Sequence, residues 1–237
     1  MKILALDSSG LVASVAVLED DNCIAEYTIN YKKTHSQTLL PMTDEIVRMT
    51  QTELETVDVI AVAKGPGSFT GLRIGAATAK GLGLALKKPI VGIPTVEGLA
   101  MNLYDCDALI CPIMDARRNQ VYTGLYRFQN GEIQVVKDQV AIGIEEIIAA
   151  LNTLGQKTVF LGDGVPVYQE CIKQMAEFEY AFAPAHVNKQ RAAAIAVRAM
   201  QYAKEGKYMC AAEFEPDYLR LSQAERERME KEKNGKE

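Results

Sequence analysis

Residues 57–86 join an apolar strand pattern to a glycine-rich turn and then to a helix with several glycines in its body. Each glycine costs a helix about 1 kcal/mol relative to alanine, so these positions must require the absence of a side chain. Small residues recur there every four positions and therefore share one face of the helix. This stripe consists of Gly71, Gly75, Ala79 and Gly83. The pattern predicts a helix that another backbone approaches closely.

The overall composition favours a folded protein without a general affinity for polyanions. The chain has 237 residues, of which 48% are hydrophobic and 24% charged, and this suits one or two globular domains. Its formal net charge is −5. Bulk electrostatics therefore gives no reason for the whole protein to coat nucleic acid or an anionic membrane. Any contact with RNA must be local or be made by a partner.

Cysteine and histidine usage indicates a reduced compartment and no structural metal. The five cysteines are scattered without a Cys-x-x-Cys pair, and neither His35 nor His186 has a histidine partner four residues away. The N-terminus lacks the basic and apolar regions of a signal peptide, and no segment reaches the roughly 20 apolar residues of a membrane span. We expect a cytoplasmic protein with no metal site and no membrane contact.

The order of predicted elements occurs twice along the chain. Three short strands open each half, a helix follows, and strands and helices then alternate in a β-α-β-α unit, which favours parallel pairing. The sequence thus predicts an α/β fold made of two βββαβαβα halves. The expected divisions are a first domain at 1–104, a second at 105–221 and a charged, flexible tail at 222–237.

Several residues near strand ends are candidates for contact with an anion or a nucleotide. Gly67, Ser68 and Thr70 lie between a buried strand and a helix N-terminus, where free N–H groups favour anions. No Gly-Lys-Ser/Thr follows, so a tight turn capped by Ser68 or Thr70 is the plainer alternative. The other candidates are Asp7 after the first strand, Gly162 and Gly164 after a second-half strand, and the guanidinium groups of Arg73 and Arg118.

Two features argue against catalysis at these residues. Arg117 and Arg118 occupy a second-half turn where phosphoryl transfer would need small residues closing on the phosphates. The serines lack a Gly-x-Ser-x-Gly frame and an evident histidine partner, so a serine-hydrolase triad is unsupported. We predict no catalytic residue and no activity of the chain alone.

The motifs together resemble the TsaB (YeaZ) family of bacterial tRNA threonylcarbamoyladenosine biosynthesis proteins. The most specific is Gly-Pro-Gly-Ser-Phe-Thr-Gly-Leu-Arg-Ile-Gly at 65–75, and weaker matches follow the family's order at 3–9, 35–41, 114–122 and 216–220. The resemblance spans nearly the whole chain. It implies an actin-like, Hsp70-like duplicated fold of the ribonuclease H-like type. It also implies a role in the t6A modification of tRNA beside the catalytic paralogue TsaD, which transfers the threonylcarbamoyl group to adenosine 37 of tRNAs that read ANN codons.

The resemblance further implies how the chain would act. In the family the first two helices form the pairing surface, in a homodimer or with TsaD, which agrees with the glycine stripe and with an apolar seam on the first helix. We therefore expect a non-catalytic subunit that activates TsaD, with the small ATPase TsaE as a further partner and tRNA bound through the complex. No cofactor is expected for the chain alone, and ATP or ADP is considered only at the partner interface. The predicted partner-binding residues are Leu39, Met42, Ile46, Met49, Leu72, Gly75, Ala79 and Gly83.

Two enzyme hypotheses stay open beside this one. An actin-like ATPase or small-molecule kinase would use Asp7 and residues 162–164, and ATP turnover with magnesium by the purified chain would identify it. A peptidase is the other, a label once attached to this family. TsaD-type enzymes hold a metal with a His-x-x-x-His motif, but here Leu39 stands four residues after His35. For the pairing hypothesis, Gly75→Leu is expected to abolish pairing and leave the fold intact.

Overall fold

The computed structural model describes residues 1–31 and 33–220, which form two five-stranded sheets covered by helices. Sheet A contains β1 (Lys2–Asp7), β2 (Ala13–Glu19), β3 (Asn22–Ile29), β4 (Val59–Gly65) and β5 (Ile90–Pro94). Sheet B contains β6 (Leu109–Asp115), β7 (Gln120–Gln129), β8 (Glu132–Gly143), β9 (Thr158–Leu161) and β10 (Tyr180–Phe182). The helices are α1 (His35–Thr50), α2 (Phe69–Leu86), α3 (Thr95–Ala100), α4 (Ile144–Leu154), α5 (Val165–Met175) and α6 (Ala192–Lys204). Across this part of the chain, no helix combines the length and apolar content that crossing a bilayer requires.

The two sheets have the same strand order. Sheet A runs β3-β2-β1-β4-β5, and sheet B runs β8-β7-β6-β9-β10. In each sheet the first strand pairs antiparallel with the second and parallel with the fourth, so that Leu4 of β1 lies between Val17 and Ile60. The predicted α/β fold of two βββαβαβα halves is confirmed. The tail expected at 222–237 lies outside the described residues.

Alternation along the central strands gives each sheet a core on both faces. Leu4 and Leu6 of β1 pack beneath α1 and α2, whereas Ile3 and Ala5 point to the opposite face and pack against α6. In sheet B, α4 and α5 cover one face and α3 covers the other. Helices α1 and α2 therefore lie side by side on one face of sheet A.

The last helix of each half covers the sheet of the other half. Helix α6 belongs to the second half by sequence, but its Ile195 and Ala199 share a core with sheet A. Helix α3 belongs to the first half, but its Leu99 packs with Ile110 and Leu161 of sheet B. A division at residue 104 therefore separates the two sheets along the chain, while the two halves exchange one packing helix.

The segment after α6 returns to sheet A as a strap, residues 209–220. The backbone of Met209 exchanges two 2.9 Å hydrogen bonds with Ile90 of the edge strand β5. Phe214 is 1% exposed and belongs to the core beneath α1 and α2. The Asp217 N–H then donates to the Lys64 carbonyl at 2.6 Å. The strap therefore ends beside the turn between β4 and α2.

Candidate interlobe cleft and partner-binding face

A cleft of about 1010 Å³ lies between the two halves. One wall comes from the β1–β2 turn, the loop before α1 and the β4–α2 turn, and the other from the β6–β7 turn, the start of α5 and the strap. These turns follow the carboxyl ends of parallel strands, which is where open α/β sheets bind ligands. Of the residues predicted to contact an anion, Gly67, Ser68 and Thr70 line this cleft.

The β1–β2 turn docks directly on the first turn of α2. A Cβ on Gly67 would lie 2.2 Å from the Ser9 carbonyl oxygen, and one on Gly71 would lie 2.1 Å from that of Ser8. The Ser68 N–H donates to the Ser9 carbonyl at 2.7 Å, and Ser68 Oγ accepts from the Gly71 N–H at 3.3 Å. Ser68 is therefore the helix N-cap, and these glycines serve a close contact inside the chain. Anion contact by this turn stays a prediction.

Asp7 holds the β1–β2 turn from beneath rather than lining the cleft. Its side chain is 1% exposed, and its carboxylate accepts the Ser9 N–H at 2.9 Å and the Ser9 hydroxyl at 2.6 Å. Burial raises the pKa of Asp7 to about 6, although these hydrogen bonds and the charge of His35 act in the opposite direction. Nucleotide contact by Asp7 stays a prediction.

The second-half floor of the cleft contains Asp115 and Asp163. The Asp115 N–H donates to Asp163 Oδ1 at 3.3 Å, while Asp115 Oδ1 accepts from the Arg117 N–H at 2.8 Å and the Tyr168 hydroxyl at 3.3 Å. Burial raises the pKa of Asp163. Within residues 1–31 and 33–220, no group of three or more His, Cys, Asp and Glu side chains is placed to hold a metal ion.

The remaining anion candidates, Gly162, Gly164, Arg73 and Arg118, are not among the residues that line the cleft. A Cβ on Gly162 would lie 2.2 Å from the Ile113 carbonyl oxygen and one on Gly164 would lie 2.9 Å from it. These glycines therefore permit the close approach of their own strand β6, and their contact with a nucleotide stays a prediction. Arg73 and Arg118 are exposed, and their contact with an anion stays a prediction.

Several cleft residues were not predicted from the sequence, above all the strap residues Tyr218 and Arg220. The Tyr218 ring packs against Phe69 at the start of α2, with centroids 4.9 Å apart and ring planes tilted by 38°, and Arg220 Nη1 donates to the Ala116 carbonyl. The motif at 216–220 was a signal that this segment matters, because it belongs to the family pattern. Nothing in the local sequence indicates that it returns to the cleft.

The glycine stripe of α2 faces the interior of the chain. A Cβ on Gly75 would lie 2.6 Å from Ser8 Oγ, and one on Gly83 would lie 2.8 Å from Ala211 Cβ of the strap. The interpretation of this face as a docking surface is therefore wrong, and Gly75→Leu would disturb the fold instead of testing pairing. The predicted partner-binding residues that are buried in the chain's own core are Leu39, Met42, Ile46, Leu72, Gly75, Ala79 and Gly83. Met49, by contrast, is 68% exposed.

Helices α1 and α2 also carry exposed apolar and small residues. Gly81 is exposed, and a Cβ there would meet nothing within 4 Å. We call this surface the outer face, and it consists of Leu40 and Met49 of α1 with Ala77, Gly81 and Leu84 of α2. Ala77, Gly81 and Leu84 lie within about 60° of one another around the axis of α2, whereas Leu40 and Met49 are nine residues apart and lie on opposite edges of α1.

The chain is similar to named proteins along most of its length. A family model described as TsaD, tRNA N6-adenosine threonylcarbamoyltransferase, matches residues 22–228. The tRNA threonylcarbamoyladenosine biosynthesis protein TsaB of Bacillus subtilis is 36% identical over 98% of this chain and 100% of its own length. The protein of the same name from Escherichia coli is 29% identical over 93% of this chain and 95% of its own length.

Solved structures agree with these sequence matches. YeaZ from Pseudomonas aeruginosa superposes with a TM-score of 0.79 at 26% identity, over 92% of this chain and 99% of that one. The activator of 2-hydroxyisocaproyl-CoA dehydratase from Clostridium difficile, solved with bound ADPNP, has a TM-score of 0.51 at 11% identity, over 87% of this chain and 97% of that one, and shares the fold alone. Fold, motifs and full-length similarity together show that the chain belongs to the TsaB (YeaZ) family.

Proposed function

We propose that this chain is a non-catalytic subunit in the biosynthesis of threonylcarbamoyladenosine in tRNA, and that it pairs with the catalytic paralogue TsaD through the outer face. Its family and the names of its relatives support the pathway. The observation that carries the pairing is the outer face itself. TsaE as a further partner, tRNA bound through the complex, a cytoplasmic location and ATP or ADP at the partner interface belong to the same proposal.

The outer face has the two properties that a helix-packing surface needs. Leu40 is 57% exposed, Met49 68% and Leu84 56%, so large apolar side chains lie in water on adjacent helices. Exposed apolar side chains are a feature of interaction sites. Beside Leu84, on the same side of α2, Ala77 and Gly81 leave room for a facing helix, because ridges of one helix pack into grooves of another. A second copy of the chain would use the same face to form a homodimer.

Gly81→Leu tests the pairing surface sharply. Leucine has a higher helix propensity than glycine by about 1 kcal/mol, and the site has open space, so the folded chain should be as stable as wild type or more stable. The added side chain fills the groove that a partner helix would enter. We expect at least a tenfold weaker affinity for TsaD from the same organism by titration calorimetry, and a matching loss of modified adenosine when TsaD, TsaE and tRNA are combined.

The matched control is Ala149→Leu, which places the same side chain on the exposed side of α4. It should leave both affinity and modification unchanged. Wild-type affinity for Gly81→Leu would contradict the outer face as the pairing surface. Modification that proceeds equally well without the chain would contradict the subunit role, and ATP turnover with magnesium by the chain alone would favour the ATPase alternative.

A further inference from the structure

Cations surround the mouth of the interlobe cleft, although the chain as a whole carries a net charge of −5. Lys33 and Arg117 are exposed and line the cleft, and the half-buried Arg220, whose Nη1 donates to the Ala116 carbonyl, lines it as well. Arg118 is exposed in the same turn as Arg117, and the Arg73 guanidinium lies 4.1 Å from the ring centroid of Phe69, a lining residue. We call Lys33, Arg73, Arg117, Arg118 and Arg220 the basic rim. This is the local concentration of positive charge that RNA contact by an acidic protein would require.

The carboxylates of the same cleft are engaged within the chain. Asp115 accepts two hydrogen bonds, Asp163 accepts the Asp115 N–H, and Asp217 Oδ2 accepts from the Gln139 amide at 3.1 Å. The Arg117 guanidinium lies 3.4 Å from Asp115 Oδ2, but its side chain is 86% exposed. An exposed ion pair of this kind is worth little in water, so Arg117 remains available to an incoming anion.

Aromatic side chains alternate with the cations at the mouth. Tyr31 lines the cleft and is 69% exposed. Tyr218 is 38% exposed and packs at a tilt against Phe69, whose ring in turn lies under the Arg73 guanidinium. Nucleic-acid bases stack on such rings, and cations beside them hold the backbone phosphates. Stacking needs an unpaired base, which a duplex does not offer.

We infer that the cleft mouth binds single-stranded RNA, with phosphates on the basic rim and an unpaired base on Tyr31 or Tyr218. The choice of RNA among polyanions rests on the proposed function in tRNA modification. The observed positions of the cations and aromatic rings do not depend on that function. The site differs from the outer face because it includes residues of the second half and of the strap. It gives the subunit a direct contact with an RNA loop, in addition to any contact made by its partner.

The test uses the full chain alone and a labelled single-stranded oligoribonucleotide of about seven nucleotides, followed by fluorescence anisotropy. If the basic rim neutralises three phosphates, a fourfold rise in salt concentration should weaken RNA binding roughly 20-fold. Arg117→Glu with Arg118→Glu should weaken binding at least tenfold. The matched control, Lys157→Glu with Lys173→Glu, changes net charge equally at exposed lysines that do not line the cleft and should leave binding within twofold.

A second variant separates base stacking from charge. Tyr31→Ala removes an exposed ring, and it should weaken binding of the single strand about tenfold while leaving the weaker binding of an RNA duplex unchanged. The inference would be overturned if both charge-reversed pairs weakened binding equally, or if duplex and single-stranded RNA bound with equal affinity. It would also be overturned if a polyglutamate peptide displaced the labelled RNA at the same concentration as unlabelled RNA does, and that result would favour an acidic protein partner. If the Arg117 and Arg118 variant binds RNA normally yet pairing through the outer face holds, the inference falls and the proposed function stands.

Discussion

Asp7 is a carboxyl group whose protonation should be visible in the stability of the whole chain. Burial raises its pKa from 3.8 to about 6 in the folded state. Because the folded-state pKa exceeds the unfolded one, the stabilisation that protonated Asp7 provides is fully present below about pH 3.8 and is lost as the pH rises through 6. The shift corresponds to a free energy on the order of 3 kcal/mol.

Asp7→Asn isolates this contribution from that of every other titrating group. The amide keeps an acceptor for the Ser9 hydrogen bonds but carries no charge at any pH. We expect the stability of the variant relative to wild type to rise between about pH 3.8 and about pH 6 and to stay constant above that range, measured as the difference between their urea unfolding free energies. Parallel pH profiles for the two proteins would show that Asp7 is ionised at little cost, contrary to its burial.

Helix α2 has two faces on which the same residue type has opposite roles. A Cβ on Gly71 would lie 2.1 Å from the Ser8 carbonyl oxygen, a rigid backbone atom, whereas a Cβ on Gly81 meets nothing within 4 Å. Gly71→Ala should therefore lower the free energy of unfolding by about 1–3 kcal/mol through overpacking. Gly81→Ala should raise it by about 1 kcal/mol through helix propensity. Urea unfolding of both variants checks this, and a gain in stability for Gly71→Ala would contradict the docking of the β1–β2 turn on α2.

These faces also explain where prediction from the sequence succeeded and where it failed. The order of strands and helices is local information, carried by apolar periodicity and turn residues, and it was predicted correctly through both halves. Helical spacing also placed Gly71, Gly75 and Gly83 on one face. It could not decide what that face meets, because a partner helix and the chain's own backbone demand the same small residues. Ser8 and Ala211, the residues that this face contacts, are distant from α2 in the sequence. Tyr218 and Arg220 were not predicted as site residues because they, too, are distant in sequence from the rest of the cleft. Ser68 and Thr70 were predicted because they belong to a local turn motif.

At the scale of the whole molecule, the exchange of α3 and α6 makes each half depend on the other for one face of its core. The two helices also meet through a buried polar cluster. Glu97 of α3 is 4% exposed, and its carboxylate accepts hydrogen bonds from Arg198 Nε and from the Tyr202 hydroxyl at 3.2 Å, both on α6. The guanidinium of Arg198 also lies over the Tyr202 ring, 4.6 Å from its centroid. The two sheets should therefore unfold together.

Arg198→Met tests this coupling. It leaves the Glu97 carboxylate buried without its ion-pair partner, so we expect a loss of about 3–5 kcal/mol in unfolding free energy. Adding Glu97→Gln removes the stranded charge, and the double variant should lose less than the sum of the two single variants. Calorimetry of wild type should give one transition with equal calorimetric and van't Hoff enthalpies. Two separate transitions in wild type would mean that the sheets unfold independently, and additive losses in the variants would mean that Glu97 and Arg198 do not hold α3 and α6 together.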